Sequence, residues 1–375
     1  MGARRTGHSL NRRRFLTAST AAAAGLGAAG CTASRAAAVS AAPGSLTRSG
    51  TSASQSGGSL TDAVLAAFRT HRLVGLGEGH QLQEHHDLLQ TLITDPQLPR
   101  LVDDIVVEFG NARYQDTIDK FVLDGQPVAD ADLRLVWRNT TDSPLQTWDA
   151  PVYEQFFRRV RAVNWTLPPG RRIRVLLGDP PFDWSTVTSR SQIPLRQRDP
   201  HAASVVEQQV LAKGRRALLC YGPEHLIHIT GNLTGLVEQR TRVRTYVIED
   251  LIPQQGDPGG LAAKLAPYPR GTIIPAAGTW LGQFNAGDAE ALYELQGGKQ
   301  VNPFCGTLLG QHLDAGLYLG QPADLTTSWP NPAIYLDPAY WAELQRRNSL
   351  QGNNVELNSY LQEHPPARTL PLAVC

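Results

Sequence analysis

Five polar residues stand where apolar runs end: Glu78 and His80 in Gly77-Glu78-Gly79-His80, Glu108 after Val106-Val107, Asp179 after Gly178, and His225 in Gly222-Pro223-Glu224-His225. Two imidazoles among three carboxylates suit proton transfer from water, because a neutral imidazole titrates near pH 6.5 and a neighbouring carboxylate orients it and stabilises its charged form. In that reading His80 activates water, Glu108 orients its ring and His225 donates to the developing oxyanion. Glu78 and Asp179 brace them, or join them as ligands of a divalent metal that would lower the water's pKa. Several other engines are missing: there is no Gly-x-Ser-x-Gly elbow, no His-Glu-x-x-His and no glycine-rich phosphate loop.

Such residues converge only if the runs before them are neighbouring strands. Residues 72–76, 104–107, 173–177 and 217–220 are short apolar runs, and helical patterns at 81–94, 114–123 and 202–212 separate them. Continuous apolar strands alternating with helices predict an α/β fold, a mainly parallel central sheet with helices on both faces. The crevice beyond the carboxyl ends of such strands is where ligands bind. Residues 244–248, 271–274 and 315–319 read as further strands, 253–269 as a surface loop, and 337–347 as a last helix. His85 and His86 project about 100° apart on their helix, so at most one faces the crevice. His86, Tyr221 and His228 are candidate substrate contacts; Trp137, Trp184 and Trp280 are candidates to line an apolar pocket. Cys220, ending an apolar run, reads as packing.

Gly77-Glu78-Gly79-His80, Glu84-His85-His86-Asp87, Val106-Val107-Glu108-Phe109 and Gly222-x-x-His225 together resemble the superfamily of erythromycin esterases, ChaN-like haem-binding lipoproteins and Tiki-type proteases. Arg198-Asp199 and Leu313-Asp314-Ala315 with Tyr318-Leu319 are similar to its esterase branch. The resemblance implies an exported hydrolase using a His/Glu-activated water on an ester or lactone, with His80 as base, Glu108 beside the water and His225 after the fourth strand. No cofactor is then required. Its alternatives are a non-catalytic lipoprotein binding haem or another ligand, and a protease needing a divalent metal. Esterases space Glu and His by two residues and carry His-Asn-x-His where this chain has Gly222-Pro223-Glu224-His225, so the first histidine of that motif is absent. His228 is a candidate replacement, since residues three apart share a helical face.

The chain's beginning reads as an address. Arg12-Arg13-Arg14-Phe15-Leu16 followed by an Ala-rich stretch to Gly30 resembles a twin-arginine signal, which implies recognition by the Tat export machinery. That stretch, roughly 15 residues, falls short of the about 20 that span a bilayer. Cys31 after Ala28-Ala29-Gly30 resembles a lipobox, so the expected destination is extracellular or membrane-anchored through a lipid on Cys31. The expected organisation is a signal over 1–31, an Ala/Ser/Gly linker over 32–59 and one domain over 60–368. Of 375 residues, 35 are Lys or Arg and 34 Asp or Glu, but beyond residue 30 the count is 30 bases to 34 acids. A mildly acidic domain without a basic stripe predicts a small-molecule substrate and no nucleic-acid partner.

Overall fold

The computed structural model describes residues 58–351, except 145–146, 254–256, 258, 290–293, 297–298 and 302–303. The signal, Cys31, nearly all of the linker and the domain's expected end at 368 lie outside the described residues. Among the described residues no helix is long and apolar enough to cross a membrane.

Ten strands are β1 (Gly58–Ser59), β2 (Leu73–Gly77), β3 (Asp104–Asn111), β4 (Arg174–Asp179), β5 (Ala217–Tyr221), β6 (Thr245–Asp250), β7 (Thr272–Pro275), β8 (Glu294–Gln296), β9 (Lys299–Val301) and β10 (Ala315–Tyr318). β8 and β9 form a separate pair, while the others form one sheet in the order β1-β7-β10-β6-β2-β5-β3-β4. From β10 to β4 every pairing is parallel; β7 runs antiparallel to both β10 and β1. The fold is α/β with a mainly parallel central sheet. β2 lies at its centre between β5 and β6, which puts the ends of β2, β5 and β3 side by side.

The strands read as continuous apolar runs because both faces are buried. Leu218 and Cys220 of β5, with Ile105, Val107 and Phe109 of β3, face one core; Leu219 and Tyr221, with Val106, face the other. The first core is closed by helices α1 (Leu60–Ala67), α2 (Gln83–Thr94), α3 (Asp130–Arg138) and α4 (Pro151–Trp165), the second by α5 (Arg198–Val205) and α6 (Leu233–Thr241). α7 (Pro338–Gln351) ends the described chain. In α4 the spacing of Val152, Phe156, Phe157 and Val160 puts one apolar stripe on the sheet. Phe109 meets Tyr153, Phe156 and Phe157 there, with ring centroids 4.8–5.6 Å apart. Each such aromatic pair adds about 0.5–1.5 kcal/mol to the burial itself.

Three expectations change. Residues 114–123 are not one regular helix but a helical turn over Gln115–Ile118 that widens into a π-turn over Asp119–Leu123. The stretch 253–269 is not all loop: Leu261–Leu265 is a helical turn after Gly260, whose φ of 70° begins it, and it buries Leu261 and Leu265. Glu108 lies inside β3 rather than beyond it. Pairing of β3 with β4 loses register between Val107 and Asn111, and a bulge of that kind re-aims a side chain near a strand's end.

Candidate active site

The turn leaving β2 builds the floor of the cleft. Glu78 is 1% exposed, and its Oε1 accepts from Tyr153 Oη at 2.9 Å and faces His80 Nδ1 at 2.8 Å. Oε2 lies 3.2 Å from His86 Nε2. Burial alone would raise the Glu78 pKa, but His86 and His80 hold it well below the ordinary carboxylate range. His80 is 27% exposed, and Nε2 lies 3.9 Å from Glu108 Oε2. Burial opposes its charge, yet Glu108 and Glu78 raise its pKa to about 9. Next to it Gln81 adopts φ 67°, a left-handed conformation that costs a non-glycine residue about 1 kcal/mol or more. Tyr153 Oη accepts from the Gln81 N–H at 3.0 Å, and the Ser328 N–H donates to Gln81 O at 2.7 Å.

Glu108 is the hub of the second half. Oε1 pairs with Arg198 and lies 3.3 Å from His225 Nε2, while Oε2 accepts from the Gly222 N–H at 2.7 Å. Although burial raises its pKa, His225, Arg198 and His80 together lower it. Gly222 is needed for this approach, because a Cβ there would stand 3.0 Å from the His80 ring and 3.4 Å from Glu108 Oε2. His225 Nδ1 lies 2.6 Å from Asp199 Oδ1, which also accepts from the Leu233 N–H at 3.0 Å. Against its burial, Asp199 and Glu108 keep the His225 pKa well above the ordinary imidazole value. Asp199 engages Nδ1, whereas Nε2 lies 3.3 Å from Glu108 Oε1 without completing a hydrogen bond.

Asp179, 3% exposed, accepts from the Thr141 N–H at 2.9 Å and from Thr141 Oγ1. Burial raises its pKa to about 7 against the pull of Arg198 and these hydrogen bonds, which tie it to the loop that carries Thr141. That loop also brings Asp142, whose pKa is raised by burial and by Glu108 against Arg198. Trp148 stands edge-on to His80, with centroids 4.8 Å apart, and its buried indole N–H has no partner. Tyr221 lies 5.8 Å from the His225 ring, and its buried hydroxyl has no partner either.

Neither α2 histidine points to solvent. His86 completes Glu78, and His85 Nδ1 pairs with Asp250 Oδ2 at 2.9 Å; the same carboxylate oxygen accepts from the Gly79 N–H at 2.9 Å. Trp137 and Trp184 are core residues, and Trp280 donates to Tyr268 Oη at 3.0 Å. His228 does not join the cluster, which corrects its expected part as a substrate contact replacing the missing histidine. It lies 3.2 Å from both Glu238 and Asp314, and Arg244 pairs with Asp314 at 2.9 Å. Burial lowers the His228 pKa, but Asp314 and Glu238 raise it overall, and Asp314 itself falls to about 2. The stabilisation from His228 is therefore complete below its unfolded pKa near 6.5 and lost as pH rises through the raised folded value. We expect His228→Gln to destabilise by about 1–2 kcal/mol at pH 6 and by less at pH 9, read by urea unfolding at each pH.

Arg198, Asp199, Asp142, Trp148 and Tyr153 were not expected among the site-forming side chains. Arg198-Asp199, opening a helix before Pro200, carried a signal only as part of a resemblance; Tyr153 and Trp148 occupy positions that read as ordinary apolar stripe and loop. Among the described residues no three His, Cys, Asp or Glu side chains are arranged to hold a metal ion.

No family model matches the sequence, and no curated protein matches it either. Solved structures similar to the chain include a mutant erythromycin esterase in its open conformation, with 12% identity over 72% of this chain and 94% of that one at a TM-score of 0.47. A succinoglycan biosynthesis protein has 10% identity over 69% and 90%, at a TM-score of 0.48. A haem-bound ChaN from Campylobacter jejuni has 14% identity over 50% and 85%, at a TM-score of 0.35.

Proposed function

We propose that this cleft hydrolyses an ester or lactone, with His80 as the base that takes a proton from water. The observation that carries the reading is the setting of one imidazole. Its Nδ1 faces a buried carboxylate at 2.8 Å, and its Nε2 looks across 3.9 Å at Glu108 Oε2. That gap is wider than a direct hydrogen bond, and this reading places the attacking water beside it.

In the step, the water's proton passes to His80 Nε2 and its oxygen bonds to the carbonyl carbon, whose π pair moves to the carbonyl oxygen. Collapse breaks the bond to the leaving alkoxide, which takes the proton back from Nε2. Glu78 stabilises the imidazolium, and Glu108, fixed by Arg198, His225 and Gly222, orients the water. Trp148, edge-on to the His80 ring, carries a buried indole N–H without a partner, which this reading assigns to the carbonyl oxygen. The test is to assay the purified protein against a panel of esters and lactones; hydrolysis is expected, and its absence across the panel would overturn the reading. A haem titration separates the non-catalytic alternative, with no Soret shift expected. The twin-arginine pattern and Cys31 support export and lipid anchoring, which signal-dependent secretion and mass spectrometry of Cys31 would check.

Three expected results follow from the geometry. Since His80 titrates near 9, about 1 molecule in 100 holds the free base at pH 7, and kcat/KM rises tenfold per pH unit toward that value. Glu78→Gln removes a charge that raises the His80 pKa, so the rise in its pH–rate profile moves about one to two pH units toward neutrality while the plateau drops. Gly222→Ala forces the His80 ring aside, and about a tenfold or greater loss of kcat is expected with the thermal midpoint little changed.

A further inference from the structure

We propose that α7 is a clamp that positions the cleft wall made by residues 138–144 and 147–149, with Arg347 as its principal positioning residue. The two are about 200 residues apart in sequence, yet side chains from three turns of α7 end on this wall. Arg347, 4% exposed, donates from Nη1 to Arg138 O at 2.7 Å and to Ser143 Oγ at 3.1 Å, and from Nη2 to Asn139 Oδ1 at 2.7 Å. Gln351, also 4% exposed, donates to Thr141 O at 3.3 Å and to Ser143 O. Tyr340 Oη donates to Asp149, which also pairs with Arg138 at 2.8 Å.

The held segment carries three groups of the site: Thr141, which donates twice to Asp179; Asp142, whose charge acts on Arg198, Glu108 and His80; and Trp148, edge-on to His80. A second loop is tied in by the same helix. Trp184 donates from Nε1 to Thr140 O at 3.0 Å, the Arg347 guanidinium lies 4.8 Å over its ring, and Arg346 donates to Trp184 O at 2.6 Å. Residues 139–144 form turns, with no strand or regular helix to supply donors to Thr141 O and Ser143 O, and Gln351 supplies them. Arg347 supplies planar donors that a lysine cannot match in number or direction. It touches none of the proton-transfer residues, so its effect reaches chemistry through the wall alone.

The kinetic consequence rests on the hydrolase reading, but the clamp itself does not. The experiment compares full-length wild type with Arg347→Met, Arg347→Lys and the milder Gln351→Ala by hydrogen–deuterium exchange and by ester hydrolysis. In Arg347→Met, exchange over 138–143 is expected to rise about tenfold or more while β2 and β5 stay protected; Lys and the Gln351 variant fall between. KM is expected to rise about fivefold or more, with the pH midpoint of the rate moving by less than about half a unit, since Glu108 and Glu78, the main groups that raise the His80 pKa, keep their places. Unchanged exchange over 138–143 in all three variants overturns the clamp, as does an unchanged KM with a displaced pH midpoint. If wild type hydrolyses nothing, the hydrolase reading fails and the exchange result alone decides the clamp.

Discussion

His80→Asn is expected to lower kcat/KM about 10²- to 10⁴-fold on any ester the wild type turns over, the range a positioned general base contributes. Asn keeps a polar group of similar reach but offers no nitrogen that accepts and returns a proton. The fold should tolerate the change. His80 is 27% exposed, and its buried partner Glu78 keeps Tyr153 and His86 as neighbours. The thermal midpoint and far-ultraviolet spectrum of the variant check that the loss is chemical. Removing the imidazole also leaves Glu78 less compensated, so a modest loss of stability at neutral pH is part of the expectation.

Glu108→Gln has the largest expected effect on stability, because Glu108 is where the two halves of the site meet. Arg198 is 12% exposed and His225 7%, and both are held as cations by this carboxylate and its neighbours. Breaking a buried pair by removing one partner costs about 3–5 kcal/mol, since the remaining charge stays buried. Denaturant unfolding should show a loss in that range. Activity should fall by about 10²-fold or more, because the water loses the acceptor that aligns it with His80 Nε2. A variant that unfolds at lower denaturant yet keeps wild-type kcat/KM would assign Glu108 to structure alone.

These variants probe a site whose backbone was largely legible before any coordinates. Apolar runs that end in Glu78-Gly79-His80, Gly178-Asp179 and Gly222-x-x-His225 place polar groups at strand ends, because a strand buried on both faces has nowhere else to put them. The order of the strands in the sheet brings three of those ends together, and order is set by crossovers that leave little trace in local pattern. Glu108 was legible as a residue but not as a position inside β3, since a bulge has no hydrophobic signature. His225 was legible as a histidine at a strand end, but not the carboxylate of Asp199, 26 residues away in sequence, that holds its Nδ1. The neutral imidazole expected for His80 near pH 7 is displaced for a similar reason: two carboxylates, from β2's exit and from β3, sit on one ring, and only their convergence raises its pKa.

His228 shows the opposite failure. Three residues after His225 it shares a helical face only if the helix continues, and the turn stops at Leu226. Beyond that point the backbone N–H of His228 bonds to His312 O at 2.8 Å, and the side chain is delivered to Glu238 and Asp314. The α7 wall contacts were likewise beyond reach of pattern, since an arginine near the end of an amphipathic helix reads as a solvent-facing charge. Nothing in its spacing marks it as buried.

The most direct test of the account is to titrate His80 by its imidazole Cε1–H resonance, assigned with His80→Asn, and to measure kcat/KM against pH on the same protein and ester. The account predicts one shared midpoint near pH 9, activity rising as the ring loses its proton. Activity that is flat across that titration, or that falls as His80 becomes neutral, would contradict it.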